Sequence, residues 1–509
     1  MSKRTIDQVN GEDPLEHSTR STRARLDSPA PRSSLLKLAY PSVSKSSAPT
    51  KPPPFQKPLP LLTFSYTPEP RQLKWDNSSL RYYVDPPARA DLGYGYERWV
   101  RREDEKGRLD SLLSAWMRAR GETLPDSLCE HRGNDKGPGF GSAQGMEVGV
   151  VTWRGVMTKI LTAPYEDRDG WEMNVMRVGE TMYFEEHLSA ERLKKKNVME
   201  PRHRLMSYYG YAFESYCTTD TPPGHSIPIQ EEGVQPGWSG DVDTNQQWCS
   251  VVKTKLGNTR IVIGGEVDCV RGEYDGGTDR LVELKTSMVI RGQQDEVRFE
   301  KKLLKFYFQS FLLGVPEIMV GFRTPSGYLQ TMQSLQTIKI PSMIRGKPHA
   351  WDPLLCLDWG HKFLEFLKTS TAPGHLIQNS EDDSDEAGSP PRSKLEENCR
   401  RVWRVKFTPR EGIQSFELDE DTIVAEVCGG DNTDVVEQVE RVGFLPVWYF
   451  ESQVKAVERR MVEVSRASLR EDDQRPNQEA PTPQSEHGHA RKQEPLARGS
   501  PTKVAGWQI

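Results

Sequence analysis

The chain has 509 residues and a formal net charge of −5; its apolar content of 35 % becomes about 40 % once 40 Gly are added and 16 Tyr removed, against roughly 45–50 % for a fully folded chain. With 28 % charged residues and 37 Pro, part of the chain is expected to stay solvated. The charge excludes a global pull toward nucleic acid, so such a partner needs a local basic surface. No apolar run approaches 18 residues and no basic-then-apolar leader opens the chain, which predicts an intracellular protein without a membrane partner. Seven scattered cysteines without a C-x-x-C pair argue against both a disulfide framework and structural zinc.

Residues 1–60 hold ten Pro and ten Ser, too little apolar surface to offset chain entropy, and are read as a disordered arm. Its basic clusters at Lys3-Arg4 and Arg20 to Arg25 fit a nuclear-localisation function and equally plain solvation. A single domain is expected over 61–464, with insertions near 127–146, where Gly is dense, and 376–398, where five acids crowd Ser380 to Glu386. Residues 465–509 read as a disordered tail.

Within the domain, period-two patterns at EVGVVTWRG, VMTKILTAPY and WEMNVMRV predict strands between 147 and 188, followed by a helix over Pro201 to Cys217. Strands follow at Lys253 to Leu256, Arg260 to Val270 and Arg280 to Thr286, then a helix over roughly 296–313. Strand patterns return at VPEIMVGF, TIKI and RVWRVKF, and the last stretch before the tail ends in helical periodicity. The fold class is α+β: twisted mixed β-sheets flanked by helices, rather than a regular βαβ array. Neither a GxGxxG nor a P-loop is present.

The segment IVIGGEVDCVRGEYDGGTDRLVELKTS is the most informative. Alternation along a strand puts Glu266 and Asp268 on one face, and Glu283 and Lys285 on one face of the next strand. The turn at Asp275-Gly276-Gly277 can bring the two pairs side by side. Carboxylates in runs this apolar are costly to bury unless a cation meets them, and their hard oxygens suit Mg²⁺ or Mn²⁺. Asp followed by E-x-K on the next strand is similar to the PD-(D/E)xK nuclease pattern. From these residues alone, a nuclease-type metal site and a solvated strand face both remain open.

Two helices add to the first reading. In PRHRLMSYYGYAFESYC, Gly210, Glu214 and Cys217 share a stripe beside the apolar one. In EKKLLKFYFQSFLLG, Lys305 and Gln309 lie one turn apart beside a buried stripe of Leu304, Phe308, Phe311 and Leu312, so Gln309 is either a polar flank or a group that meets water or phosphate.

Taken in order, LRYYVDPP, LGYGYE, VTWRG, GYAFE, GGEVDCV, VELKTS and KFYFQSFLLG resemble the DXO-type decapping nuclease family, and within it the fungal nuclear branch that partners a 5′→3′ exoribonuclease of the XRN class. The resemblance spans most of the folded chain, and the two insertions and long ends touch none of its motifs. It implies that Glu214, Asp268, Glu283 and the Leu284 carbonyl are metal ligands, with Glu266 acting at the metal or its water. Lys285 and Gln309 would meet the scissile phosphate or the nucleophilic water. Arg154, flanked by Trp153 and Gly155, would bind substrate phosphate, and Cys249 in QWCSVV and Glu97 in GYGYE would touch substrate. Glu266, Asp268, Glu283 and Lys285 form the implied catalytic set, served by Mg²⁺ or Mn²⁺, with two ions expected.

The activity so implied is hydrolysis of RNA 5′ ends bearing a triphosphate, an incompletely methylated cap or an NAD cap, leaving a 5′-monophosphate for the exoribonuclease in the nucleus. Basic side chains such as Arg192, Lys194, Arg202, Arg204, Lys301 and Lys302 either guide the RNA backbone or are merely solvated. Two rival readings use the same residues: a metal-dependent DNA exonuclease, and a non-catalytic stabilising subunit of the exoribonuclease.

Overall fold

A computed structural model describes residues 35–41, 43, 51–68, 71–125, 139–222, 233–372, 392–429 and 439–473. Two mixed sheets organise it. The larger has ten strands, in spatial order Leu36–Ala39, Gly412–Glu417, Val402–Thr408, Trp171–Val178, Thr181–His187, Val150–Trp153, Thr259–Glu266, Gln247–Leu256, Leu59–Tyr66 and Leu73–Lys74. The smaller has six: Leu329–Gln336, Glu317–Arg323, Leu281–Met288, Cys269–Val270, Tyr82–Tyr83 and Thr218–Thr219.

Alternation along the strands sorts the apolar residues into layers. Val150, Ile261 and Ile263 of the larger sheet share one core with Ile318 and Val320 of the smaller, and helix Gln293–Leu313 packs in that core through Leu304, Phe308 and Leu312. Val151, Val251 and Val262 face the opposite way, against helices Asp110–Arg120 and Val447–Asp473. Helix Pro201–Cys217 covers the other side of the smaller sheet, where Phe213 meets Leu284 and Met319. Among the described residues no helix is long and apolar enough to cross a membrane.

Several expectations are corrected. The span Val156 to Tyr165 is helix Arg154–Thr162 followed by the 3₁₀ turn Ala163–Tyr165, because Val156, Met157, Ile160 and Leu161 repeat at one and four residues, the period of a helix side buried on the sheet. TIKI is the 3₁₀ turn Thr337–Lys339 leading into helix Ile340–Ile344, with Pro341 in its first turn. The ordered domain also exceeds 61–464. Leu36–Ala39 is an edge strand and Phe55 is buried against the core, while the last helix runs to Asp473. Of the two insertions, residues 139–145 pack as turns on helix Asp110–Arg120, through Ala143 N–H to the Ala119 carbonyl at 2.6 Å, and residues 392–400 are helical. Residues 126–138 and 373–391 lie outside the described residues, as do 1–34 with their basic clusters and 474–509.

The edge strand depends on Gly412, which pairs with Ala39 at φ 102°. A Cβ there would lie 2.3 Å from the Leu38 carbonyl oxygen and 2.6 Å from the Tyr40 nitrogen, both backbone atoms unable to yield without parting the strands. Gly412→Ala is expected to cost about 1–3 kcal/mol in urea unfolding; an unchanged midpoint would show that residues 36–39 are not held in this way.

Candidate active site

The catalytic segment changes sheets. Strand Thr259–Glu266 belongs to the larger sheet, the chain leaves it at Val267, and Cys269–Val270 joins the smaller sheet by pairing with Val282 and Leu281. The expected hairpin therefore exists only as this two-residue pair. Glu266 ends one sheet, Asp268 lies at the crossing, and Glu283 and Lys285 come from the other sheet.

These groups are bound together. Lys285 Nζ lies 2.6 Å from Glu283 Oε1 and 3.9 Å from Asp268 Oδ2, and Arg154 Nη1 donates to Glu283 Oε2 at 3.0 Å. The Leu284 N–H donates to Asp268 Oδ2 at 2.6 Å, and Gln247 Nε2 to Glu266 Oε2 at 2.8 Å. Glu283 is wholly buried, which a carboxylate tolerates only when charged donors meet both its oxygens, as here.

Arg154 reaches the cluster because it opens a helix directly after strand Val150–Trp153, beside strand Thr259–Glu266. A Cβ at Gly265 would come within 3.0 Å of the Arg154 Cβ and 2.9 Å of Leu313, so the glycine makes room for both. Leu313 is one helical turn beyond Gln309, on the same side of helix Gln293–Leu313. Glu214 enters from helix Pro201–Cys217.

The electrostatics are unbalanced. Burial, then the charges of Asp268 and Glu266, hold the Glu214 carboxyl well above the usual range. Burial and the nearby Glu283 push Asp268 up to about 7, and burial raises Glu266 as well, against the opposing pull of Arg154. Burial would raise Glu283 too, but Arg154 and Lys285 outweigh it and hold that carboxyl low. Four carboxylates thus face two directly paired cations, and a hard divalent cation fits the surplus oxygen charge. Among the described residues no three potential ligands are gathered tightly enough to hold an ion as they stand, and Lys285 and Arg154 meet the two oxygens of Glu283. An ion bound there would compete with the Lys285 ammonium for Glu283 Oε1.

The remaining expected residues divide. Cys249 sits across the ladder from Glu266, buried, with its thiol pushed up by burial and by that carboxylate. Gly155 leaves open space beside Arg154, with nothing within 4 Å of where its Cβ would stand. Trp153 turns the other way: its indole donates to the Arg108 carbonyl at 2.8 Å and packs in the core on the far side of the sheet. Glu97 is not brought in either. It lies exposed in the 3₁₀ turn Tyr96–Arg98, which Gly95 sets up at φ 80°, and joins none of the contacts around the carboxylates.

Two arginines escaped the sequence reading. Arg71 Nη2 and Arg102 Nη1 both donate to Gln247 Oε1, at 3.0 and 2.9 Å, so Gln247 links them to Glu266. Arg71 also lies 3.4 Å over the Tyr66 ring, and its Nε is buried without a partner. Burial, with Arg102 alongside, holds this guanidinium below its usual range. Neither arginine forms an ion pair with a carboxylate among the described residues, though the Arg102 charge draws the Glu266 carboxyl down, and the two guanidinia together suit an anion. The only sequence signal was Gln247, two residues before Cys249 and hence on the same strand face.

A carboxylate, a crossing-point Asp and an E-x-K strand, flanked by helices that add Glu214 and Gln309, define a nuclease core of the PD-(D/E)xK type. The family model of RAI1-like PD-(D/E)XK nucleases matches residues 56–450, and the chain belongs to this family. It is 38 % identical over 474 residues to the decapping nuclease RAI1 of Mycosarcoma maydis, covering 80 % of this chain and 90 % of that one. It is 30 % identical over 412 residues to the human decapping and exoribonuclease protein, covering 79 % and 86 %. The crystal structure of S. pombe Rai1 in complex with 3′-FADP is similar at a TM-score of 0.54 and 25 % identity, over 76 % of this chain and 100 % of that one. Candida albicans Rai1, solved in complex with pU5-Mn²⁺, shares the fold at a TM-score of 0.57 and 23 % identity, over 76 % and 95 %.

The raised carboxyl of Asp268 sets the sign of a pH effect. Its folded value of about 7 exceeds the ordinary 3.8, so its contribution to metal-free stability is complete below about pH 4 and is lost as pH rises through about 7. In a chelator, wild type should lose on the order of a few kcal/mol between pH 5 and 8 in urea unfolding, and Asp268→Asn should flatten that fall. Equal slopes in the two proteins would contradict the crowding of charge at Asp268.

Proposed function

We propose that this chain is a metal-dependent RNA 5′-end hydrolase, a decapping nuclease that converts triphosphate, incompletely methylated and NAD-capped ends to 5′-monophosphates. The observation that carries the reading is the junction of Glu214, Glu266, Asp268, Glu283, Lys285 and Arg154 between the two sheets, in a chain whose relatives are named decapping nucleases. The 3′-FADP complex of the S. pombe protein supports a substrate with a nucleotide and phosphates at its 5′ end.

Bound by Glu214, Asp268, Glu283 and the Leu284 carbonyl, with Glu266 alongside, a divalent ion would supply Lewis-acid charge and lower the pKa of water. One such ion balances the surplus charge; a second, Mg²⁺ or Mn²⁺ like the first, would draw on the substrate's phosphates. The residues do the positioning. Gln247 fixes Glu266 through Oε2, leaving Oε1 to accept a proton from the attacking water, and the raised carboxyl brings this base nearer neutrality. Burial opposes the charge on Lys285, yet Glu283 and Asp268 push its ammonium up to about 12, so it stays protonated and donates to a phosphoryl oxygen rather than acting as a base. Arg154, likewise kept charged by Glu283, clamps a second oxygen, and Gln309 orients water or phosphate. Cys249 and Gly155 border the bound nucleotide.

The partner in this reading is a 5′→3′ exoribonuclease of the XRN class acting on the monophosphate product in the nucleus. The resemblance of the motifs to the fungal nuclear branch supports this partnership and location.

The test incubates purified protein and Mn²⁺ with RNAs bearing triphosphate, unmethylated-cap, NAD or monophosphate ends, and with the matching DNA. Wild type is expected to yield 5′-monophosphate RNA from the modified ends, while Glu266→Ala/Asp268→Ala falls by at least about a hundredfold. Activity on DNA regardless of the 5′ phosphates would favour a repair exonuclease, and two equally inert proteins that still stabilise the exoribonuclease would favour a binding subunit.

A further inference from the structure

Helix Pro201–Cys217 carries Arg204, Ser207, Tyr211 and Glu214 at spacings of three, four and three residues, a single stripe running outward from the carboxylate cluster. Tyr211 is 38 % exposed, one turn from the half-buried Glu214 carboxylate. Burial, Glu214 and Glu266 push its hydroxyl up to about 12.

The ring is held from behind. Trp99 lies 5.8 Å from it, centroid to centroid, and is itself buried. Trp99 is fixed by Tyr208 at 5.5 Å and by the Arg204 guanidinium at 5.6 Å, while its indole Nε1 is buried without a partner. The segment bearing Trp99 is pinned by the Val100 N–H to the Val242 carbonyl at 3.0 Å and the Arg102 N–H to Thr244 Oγ1 at 2.8 Å. It also carries Arg102, whose guanidinium donates to Gln247 Oε1 at 2.9 Å and whose charge draws the Glu266 carboxyl down. A supported, half-open aromatic, with the Arg102 guanidinium carried on the segment that backs it, matches the way proteins hold single-stranded nucleic acid: a base stacks on the ring and the backbone phosphate meets the cation.

We propose that Tyr211, backed by Trp99, is the stacking platform for the nucleobase nearest the scissile phosphate, and that Arg102 takes the adjoining backbone phosphate. This rests on the hydrolase reading above and adds the determinant by which the site prefers a nucleotide chain to a bare polyphosphate. Because stacking needs the ring and not the hydroxyl, Phe should replace Tyr211 and Ala should not.

The experiment measures kcat and KM for wild type, Tyr211→Ala and Tyr211→Phe on a 5′-triphosphate RNA and on the same RNA lacking the first base, with Mn²⁺ present. Tyr211→Ala should raise KM by about tenfold or more on the intact RNA with kcat little changed, and Tyr211→Phe should match wild type. On the abasic RNA, wild type should weaken to the level of Tyr211→Ala, and the substitution should then make no further difference. An unchanged KM in Tyr211→Ala, a Tyr211→Phe as poor as Tyr211→Ala, or equal losses on both RNAs would overturn the platform while leaving the hydrolase intact. Wild type inert on every RNA would instead overturn the hydrolase reading on which the platform rests.

Discussion

Everything in this molecule turns on holding four carboxylates together, Glu283 fully buried and Glu214, Glu266 and Asp268 half-buried around it. Glu214, Glu266, Asp268 and Glu283 repel one another and lose hydration at once, and only Arg154 and Lys285 oppose them directly. Such a cluster persists only on a rigid frame, and the two sheets provide it by meeting at Val267, where the chain crosses between them. Each sheet brings one half of the site. The helices between and beside them bring the rest, and the shared apolar core fixes the angle at which all of these elements meet.

The charged wall opposite Arg154 follows a different logic. Glu283 has its cations satisfied within the protein, whereas Arg71 and Arg102 both donate to the neutral Gln247 amide and form no ion pair among the described residues. In the proposed function the two sides suit two parts of one ligand, a divalent cation with the reacting phosphate on the carboxylate side and the continuing anionic chain on the arginine side. Gln247 couples them, because the amide that gathers the arginines also orients Glu266.

Much of this could be read from residue order. Alternation placed Glu283 beside Lys285 and Glu266 near Asp268, and helical spacing found Pro201–Cys217 to the residue. What failed has physical causes. Val156 to Leu161 carries two adjacent apolar residues per turn, a pattern that short windows confuse with alternation, and its helix is legible only once the sheet beneath it is known. The break at Val267 leaves no mark, since IVIGGEVDCV reads as one continuous strand while its hydrogen bonds divide between two sheets. Arg71 and Arg102 were invisible because they lie 176 and 145 residues from Gln247, the residue on which they meet. Glu97 lies exposed in its 3₁₀ turn and the Trp153 indole meets the Arg108 carbonyl, so the structure places neither among the carboxylate contacts, and their roles toward substrate rest on the motif resemblance alone.

The central claim is that the carboxylate surplus is a cation site whose resident counter-ion is Lys285. Crystals grown with Mn²⁺ and measured at the manganese absorption edge test it directly. An anomalous peak bounded by Glu214, Asp268 and Glu283, with Lys285 Nζ withdrawn from Glu283 Oε1, is the predicted result. A peak elsewhere, or none at saturating Mn²⁺ with the Lys285–Glu283 pair intact, would contradict it.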